Sequence, residues 1–98
     1  MKIKLVVDLN GDGQQTTMTA NLWVACQWEQ NENRRLNDGK PFGFTEQVQL
    51  AYYCYKLRGD QLPPTAKEWH DQHKHLDIVE FVNIENPNPT ALAVTDGN

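Results

Sequence analysis

The sequence predicts an α+β domain: an N-terminal β-hairpin packed on three helices, with a possible short third strand and a flexible C-terminal tail. Three observations carry this. Residues 2–20 alternate on either side of an Asn-Gly-Asp-Gly turn, residues 44–58 are apolar around most of a helical circumference, and Pro63-Pro64-Thr65 opens a further short helix. The single domain is placed at residues 1–85 and the tail at residues 86–98.

Lys2 to Leu9 reads as a strand with Ile3, Leu5 and Val7 on one face. The turn Asn10 to Gly13 supplies residue types that tolerate positive φ, and Gln14 to Ala20 returns as the partner strand with Met18 and Ala20 facing inward. Asn21 is placed to cap a helix from Leu22 to about Asn33, with Leu22, Ala25, Cys26 and Trp28 inward and Gln27, Gln30 and Asn31 outward. Strand alternation also fits Met18 to Cys26, and the helix is the favoured reading. Arg34 to Gly43 combines an Asn-Asp-Gly turn with Pro41 and a second glycine, which predicts an exposed loop.

The organising element is Phe44 to Arg58. On a helix Phe44, Val48, Ala51, Tyr52 and Tyr55 fill one arc and Leu50, Cys54 and Leu57 a second beside it, leaving Thr45, Gln49 and Lys56 as the polar strip. Such a helix is a central pillar packed on at least two sides. Thr45 is the expected cap, Glu46 lies in the first turn, and Lys56 and Arg58 lie in the last turn before Gly59. After the double proline, Thr65 and Glu68 form a capping box for a third helix with Trp69, His73 and Leu76 inward. Ile78 to Ile84 fits a short strand or a helical turn equally well. From Asn86 onward two prolines and a single charge, Asp96, predict flexibility.

The formal net charge of −4 over 98 residues argues against nucleic acid as the main partner, because neutralising phosphates needs a basic stripe and Arg34-Arg35 is the lone basic doublet. No apolar run approaches the roughly 18 residues that suggest a membrane span, and the N-terminal apolar run is too short for a signal peptide. A chain not exported by that route sits in a reducing compartment, so Cys26 and Cys54 are expected to be buried core thiols.

Asp8, Asn10, Asp12 and Gly13 match the first half of a calcium loop, but the twelfth position is Thr19 where a bidentate Glu belongs, so a polar hairpin turn is the stronger reading. His70, His73 and His75 with Asp71 lack the further ligands of a structural zinc site and read as a histidine-rich helix surface. Serine is absent, and neither a nucleophile elbow nor a phosphate-cradling loop occurs. The expectation is therefore a protein with no enzymatic activity, catalytic residue, metal or cofactor. Aromatic residues offer a different use: Trp23, Trp28, Tyr53 and Trp69 are the candidate partner-binding residues, with ordinary packing the competing account of each.

In order along the chain, Leu22-Trp23 with Trp28-Glu29, Leu50-Ala51-Tyr52, Leu57, Pro64-Thr65 and Asn88-Pro89-Thr90 resemble the tail assembly chaperones of long-tailed bacteriophages, especially the small ones of phages that infect actinobacteria. The resemblance runs from about Lys2 to Thr90. It implies a non-enzymatic assembly factor that coats the tape measure protein, keeps it from aggregating and helps recruit tail tube subunits. It also implies the short form of a pair, the long form arising by ribosomal frameshift, with self-association into a coat. The setting would be the cytoplasm of the infected host, with the chain absent from the mature virion. The alternative is a small structural virion protein, such as a head-tail connector or tail-tip component. Binding of nucleic acid or membrane is not expected.

Overall fold

A computed structural model describes residues 2–36 and 38–83. Strands β1 (Ile3–Asp8) and β2 (Gln15–Ala20) precede helices α1 (Leu22–Glu32), α2 (Phe44–Arg58) and α3 (Ala66–Gln72), and β3 (Asp77–Asn83) closes the series. The sheet order is β2-β1-β3 with both pairings antiparallel, so the expected α+β arrangement of a hairpin and three helices is present, and β3 is the possible third strand. The predicted tail at residues 86–98 lies outside the described residues, as does Ile84.

β1 is central because its core face is the most apolar of the three: Ile3, Leu5 and Val7 are buried, and Leu5 and Val7 are fully enclosed. Opposite them on β2 stand Ala20, Met18 and Thr16. On β3 the register shifts between Val6 and Val7: Ile78 pairs with Val7, Glu80 with Val6 and Phe81 with Leu5, so Val79 is the extra residue of a bulge. This explains why the stretch from Ile78 fits a strand and a helical turn equally well in the sequence. Ile78 and Phe81 are three residues apart, yet the bulge lets both pack on the core from a strand.

In the hairpin turn the Asp8 carboxylate accepts from the N–H groups of Asp12 and Gly13 at 3.1 and 2.9 Å, and Asp12 Oδ1 accepts from Gln14 N–H. The acidic residues that suggested a calcium loop hold their own turn. Gly11 at φ +68° lies against the backbone of His75, where an added Cβ would meet the carbonyl oxygen at 2.6 Å.

α2 is the pillar, packed by α1, α3, β2 and β3. Val48, Leu50, Ala51, Tyr52, Tyr53, Cys54 and Tyr55 are buried. Its start differs from expectation. Gly43, not Thr45, is the N-cap residue, and the Glu46 carboxylate accepts from Gly43 N–H at 2.8 Å. At the other end Gly59 adopts the left-handed conformation and Asp60 N–H reaches Tyr55 O at 3.2 Å, closing the last turn. Two residues of the predicted apolar arcs are corrected: Phe44 is 86 % exposed and Leu57 44 % exposed. Both stand in the terminal turns of the helix.

α1 begins as expected, with Asn21 Oδ1 accepting from Val24 N–H at 3.1 Å. It is rotated about a quarter turn from the predicted phase. Val24, Ala25 and Trp28 are buried, whereas Leu22 and Cys26, expected inside, are exposed. Val24 and Trp28 belong to the core cluster instead, and Leu22, the first helical residue, has no turn before it to pack over.

α3 carries its predicted cap, Thr65 Oγ1 accepting from Glu68 N–H at 3.2 Å. It delivers Trp69 between Tyr52 and Tyr55, with ring centroids 5.8 and 5.4 Å apart. The Tyr52 hydroxyl donates to the Pro63 carbonyl at 2.6 Å, fastening the double-proline entry to the pillar. The loop between α1 and α2 is not wholly exposed. Phe42 inserts between Trp28 and Phe81, and Leu36 also packs on the core. Arg34 organises this connection. It donates to Asp38, Glu46 and the Pro41 carbonyl, and its guanidinium lies over the Trp28 ring.

Candidate docking surface

The polar strip of α2 forms the floor of a furrow. At its N-terminal end Phe44 stands beside a hollow of about 200 Å³ lined also by Val48, His70, Leu76, Asp77 and Ile78. A smaller hollow shares Val48 and His70 and continues past Thr45, Gln49, Ala66 and Lys67. A third, of about 210 Å³, shares Gln49, Ala66 and Lys67 and runs on to Tyr53, Lys56 and Glu32. The three join into one track along α2 from Phe44 to Lys56. Twelve residues of helical rise make it about 18 Å long. One wall is α3 and the other, at the far end, is the end of α1.

The floor owes its character to the spacing of α2. Thr45, Gln49 and Lys56 recur at helical intervals between the buried arcs, Thr45 and Lys56 exposed and Gln49 half-buried. Gln49 is held in place by accepting from the Trp28 indole N–H at 3.0 Å. Tyr53 is buried but its hydroxyl, at the furrow's edge, donates to Glu32 at 2.7 Å. Burial and then the Glu32 carboxylate push the Tyr53 phenol well above its ordinary range, so it remains a donor at neutral pH. Charge on the walls is mixed. Lys67 pairs with Asp71 at 2.8 Å, and Lys56 lies over the Tyr52 ring. The apolar content is concentrated at the Phe44 end.

Of the four candidate partner-binding residues, Trp23 alone is exposed, at 42 %. Trp28 and Trp69 are fully buried and Tyr53 nearly so, which corrects the expectation that they offer rings to a partner. Each is taken by the core: Trp28 by Gln49, Phe42 and Arg34, Trp69 by Tyr52 and Tyr55, and Tyr53 by Tyr52 and Glu32. The residue that sequence reasoning missed is Phe44, assigned to the core by its arc. Its position as the first helical residue, directly after a glycine, was the available signal.

Other polar clusters are committed locally. His73 Nδ1 lies 2.9 Å from the Trp69 carbonyl and its ring packs beside the indole, while His70 and His75 are exposed on separate segments. Among the described residues no group of three or more His, Cys, Asp or Glu side chains is arranged to hold a metal ion. A hollow of about 400 Å³ is lined by Cys26, Glu29, Gln30, Asn33, Arg34 and Arg35. Its Arg34 is already held by Asp38 and Glu46, and Glu29 accepts from Leu36 N–H at 2.9 Å, so its charged groups serve the α1–α2 connection. Among the described residues no helix is long and apolar enough to cross a membrane. Comparison with family models, curated proteins and solved structures returned no match for this chain.

Proposed function

We propose that this chain is a tail assembly chaperone of a long-tailed phage, a non-catalytic protein that holds helical segments of the tape measure protein along the α2 furrow and helps recruit tail tube subunits. The supporting observation is Phe44: an almost fully exposed ring beside a hollow that Val48, Leu76 and Ile78 line together with His70 and Asp77, at one end of a track whose length suits three turns of a partner helix. A helix laid there would set apolar side chains beside Phe44 and Val48 and polar ones against Gln49 and Lys56. The sequence resemblance supplies the identity of that helix. The protein then acts in the cytoplasm of the infected bacterium and departs before the particle is complete.

The test is binding of purified chain to helical segments of the tape measure protein, with Phe44→Glu and His70→Glu as variants. Both residues are exposed, so circular dichroism is expected to be unchanged while affinity falls at least about tenfold, the scale of a lost aromatic anchor. Unchanged affinity in both variants removes the furrow as the site. Stoichiometric recovery of the chain from purified particles by mass spectrometry would identify a structural virion component and defeat the chaperone reading.

A further inference from the structure

β2 is an end strand, and among the described residues nothing pairs with its outer side. An open strand edge is a template for another strand, and proteins normally guard it with charge, proline or a bulge. The two edges of this sheet differ in that respect. β3 carries Asp77 and Glu80 and a register shift against β1. β2, Gln15-Thr16-Thr17-Met18-Thr19-Ala20, has no charged residue and no proline, and its ladder with β1 is unbroken over all six residues. Beside it on the helical side lies a hollow of about 210 Å³ lined by Met18, Thr19, Cys54, Leu57 and Arg58, with Leu57 half in solvent.

We propose that β2 is the self-association edge of this protein: a second copy docks β2 against β2, antiparallel about a two-fold axis, to make a continuous six-stranded sheet. Charge selects the occupant. A chain of net charge −4 repels its own copy across most contacts, whereas a two-fold strand pair sets the β2 run against itself with no charge on either side. Keeping the helices of both copies on one face requires a residue of β2 to sit on the axis opposite its own counterpart; the register proposed sets Thr17 there and Gln15 opposite Thr19. Threonine pairs are favourable across antiparallel strands. Six residues give a seam of about 20 Å, less than a standard interface of roughly 800 Å² per partner needs on its own. The Leu57 hollows, brought to the same side of the seam, supply the apolar remainder.

Sedimentation equilibrium of the purified chain tests this, with Thr17→Lys and Thr19→Lys as edge variants and Val79→Lys on the opposite edge as control. Thr17, Thr19 and Val79 are exposed, so all three variants are expected to fold, as read by circular dichroism. The wild type and Val79→Lys are expected to form dimers. Thr17→Lys, which sets two ammonium groups face to face, is expected to weaken the dimer by more than about tenfold. Cys26→Ala/Thr17→Cys gives a second readout, an intermolecular disulfide on mild oxidation. A chain that stays monomeric, or one whose dimer is broken by Val79→Lys and not by the β2 variants, overturns the proposal. Phe44→Glu leaves this dimer intact, so self-association and partner binding are read separately.

Discussion

Replacing Trp28 by Phe is a sharp test of how the core is built, because the structure assigns this side chain three separable contacts. The indole is fully buried, its N–H donates to Gln49 Oε1 at 3.0 Å, and its ring lies 5.3 Å from the Arg34 guanidinium. Phe keeps the apolar body and the stacking on Phe42. Loss of the hydrogen bond costs about 1 kcal/mol, since half-buried Gln49 can be rewetted. The missing ring atoms cost about 1 kcal/mol at roughly 25 cal/mol per Å² of apolar surface. A weaker cation–π contact adds about 0.5 kcal/mol. The sum, about 2.5 kcal/mol, is a large share of the stability of a domain this size and lowers the melting temperature by about 10 °C or more. Urea unfolding followed by far-UV circular dichroism measures it, and Trp23→Phe, at a site 42 % exposed, is expected to cost less than about 0.5 kcal/mol. A double-mutant cycle with Gln49→Ala should return a coupling near 1 kcal/mol. Equal costs at positions 28 and 23, or no coupling to Gln49, would refute the reasoning.

Three further outcomes are expected. Burial pushes the Cys54 thiol up to about 12, while Cys26 is exposed, so iodoacetamide at about pH 8 should label one thiol per native chain, at Cys26, and the second only in denaturant; equal native labelling contradicts the packing. Asp38 is held below its ordinary pKa by the Arg34 hydrogen bond and the Lys40 N–H, and Glu46 by the Gly43 N–H and then Arg34. With folded values depressed, their contribution is present above the unfolded carboxylate range near pH 4 and is lost as pH falls through the folded values. Arg34→Gln should therefore melt lower than wild type at pH 7, with the gap closing towards about pH 2; a deficit independent of pH would sink the assignment. Gly11→Ala sets a Cβ 2.6 Å from the His75 carbonyl oxygen at positive φ and should cost about 2–3 kcal/mol, against about 1 kcal/mol for Gly13→Ala, which has open space at its own positive φ; equal denaturation midpoints would show that the turn does not lie against His75.

The elements of this fold that were legible in the sequence are those fixed by local chemistry. Asn21 and Thr65 cap the helices they were expected to cap, Gly59 ends α2, and the Asn-Gly-Asp-Gly turn joins β1 to β2. Each depends on a side chain or backbone conformation within a few residues of where it acts. β3 was legible only in part, because Val79 is a bulge residue whose presence depends on pairing with β1. Gly43 as the cap of α2 was hidden by the conventional cap residue beside it: Thr45 fits the composition rule, yet Glu46 reaching back to Gly43 N–H sets the start two residues earlier.

The candidate surface was misread for a reason that applies beyond this chain. Periodicity states which way a side chain points and is silent on whether a neighbour extends far enough to cover it. Leu22, Phe44 and Leu57 all lie at or within two residues of the end of a helix, and all three are exposed although their apolar character assigned them to the core. Trp28, Tyr53 and Trp69 show the opposite error: their size marks them as anchors, but each sits mid-element on a face that the core covers. Position along the element therefore separates the two groups better than residue type. Uncovered apolar side chains at helix ends are also where the two proposed docking surfaces lie, Phe44 at the mouth of the furrow and Leu57 beside the β2 edge. They lie at opposite ends of α2, with its buried residues between them, so a partner helix and a second copy can be held by one pillar without competing for the same side chains.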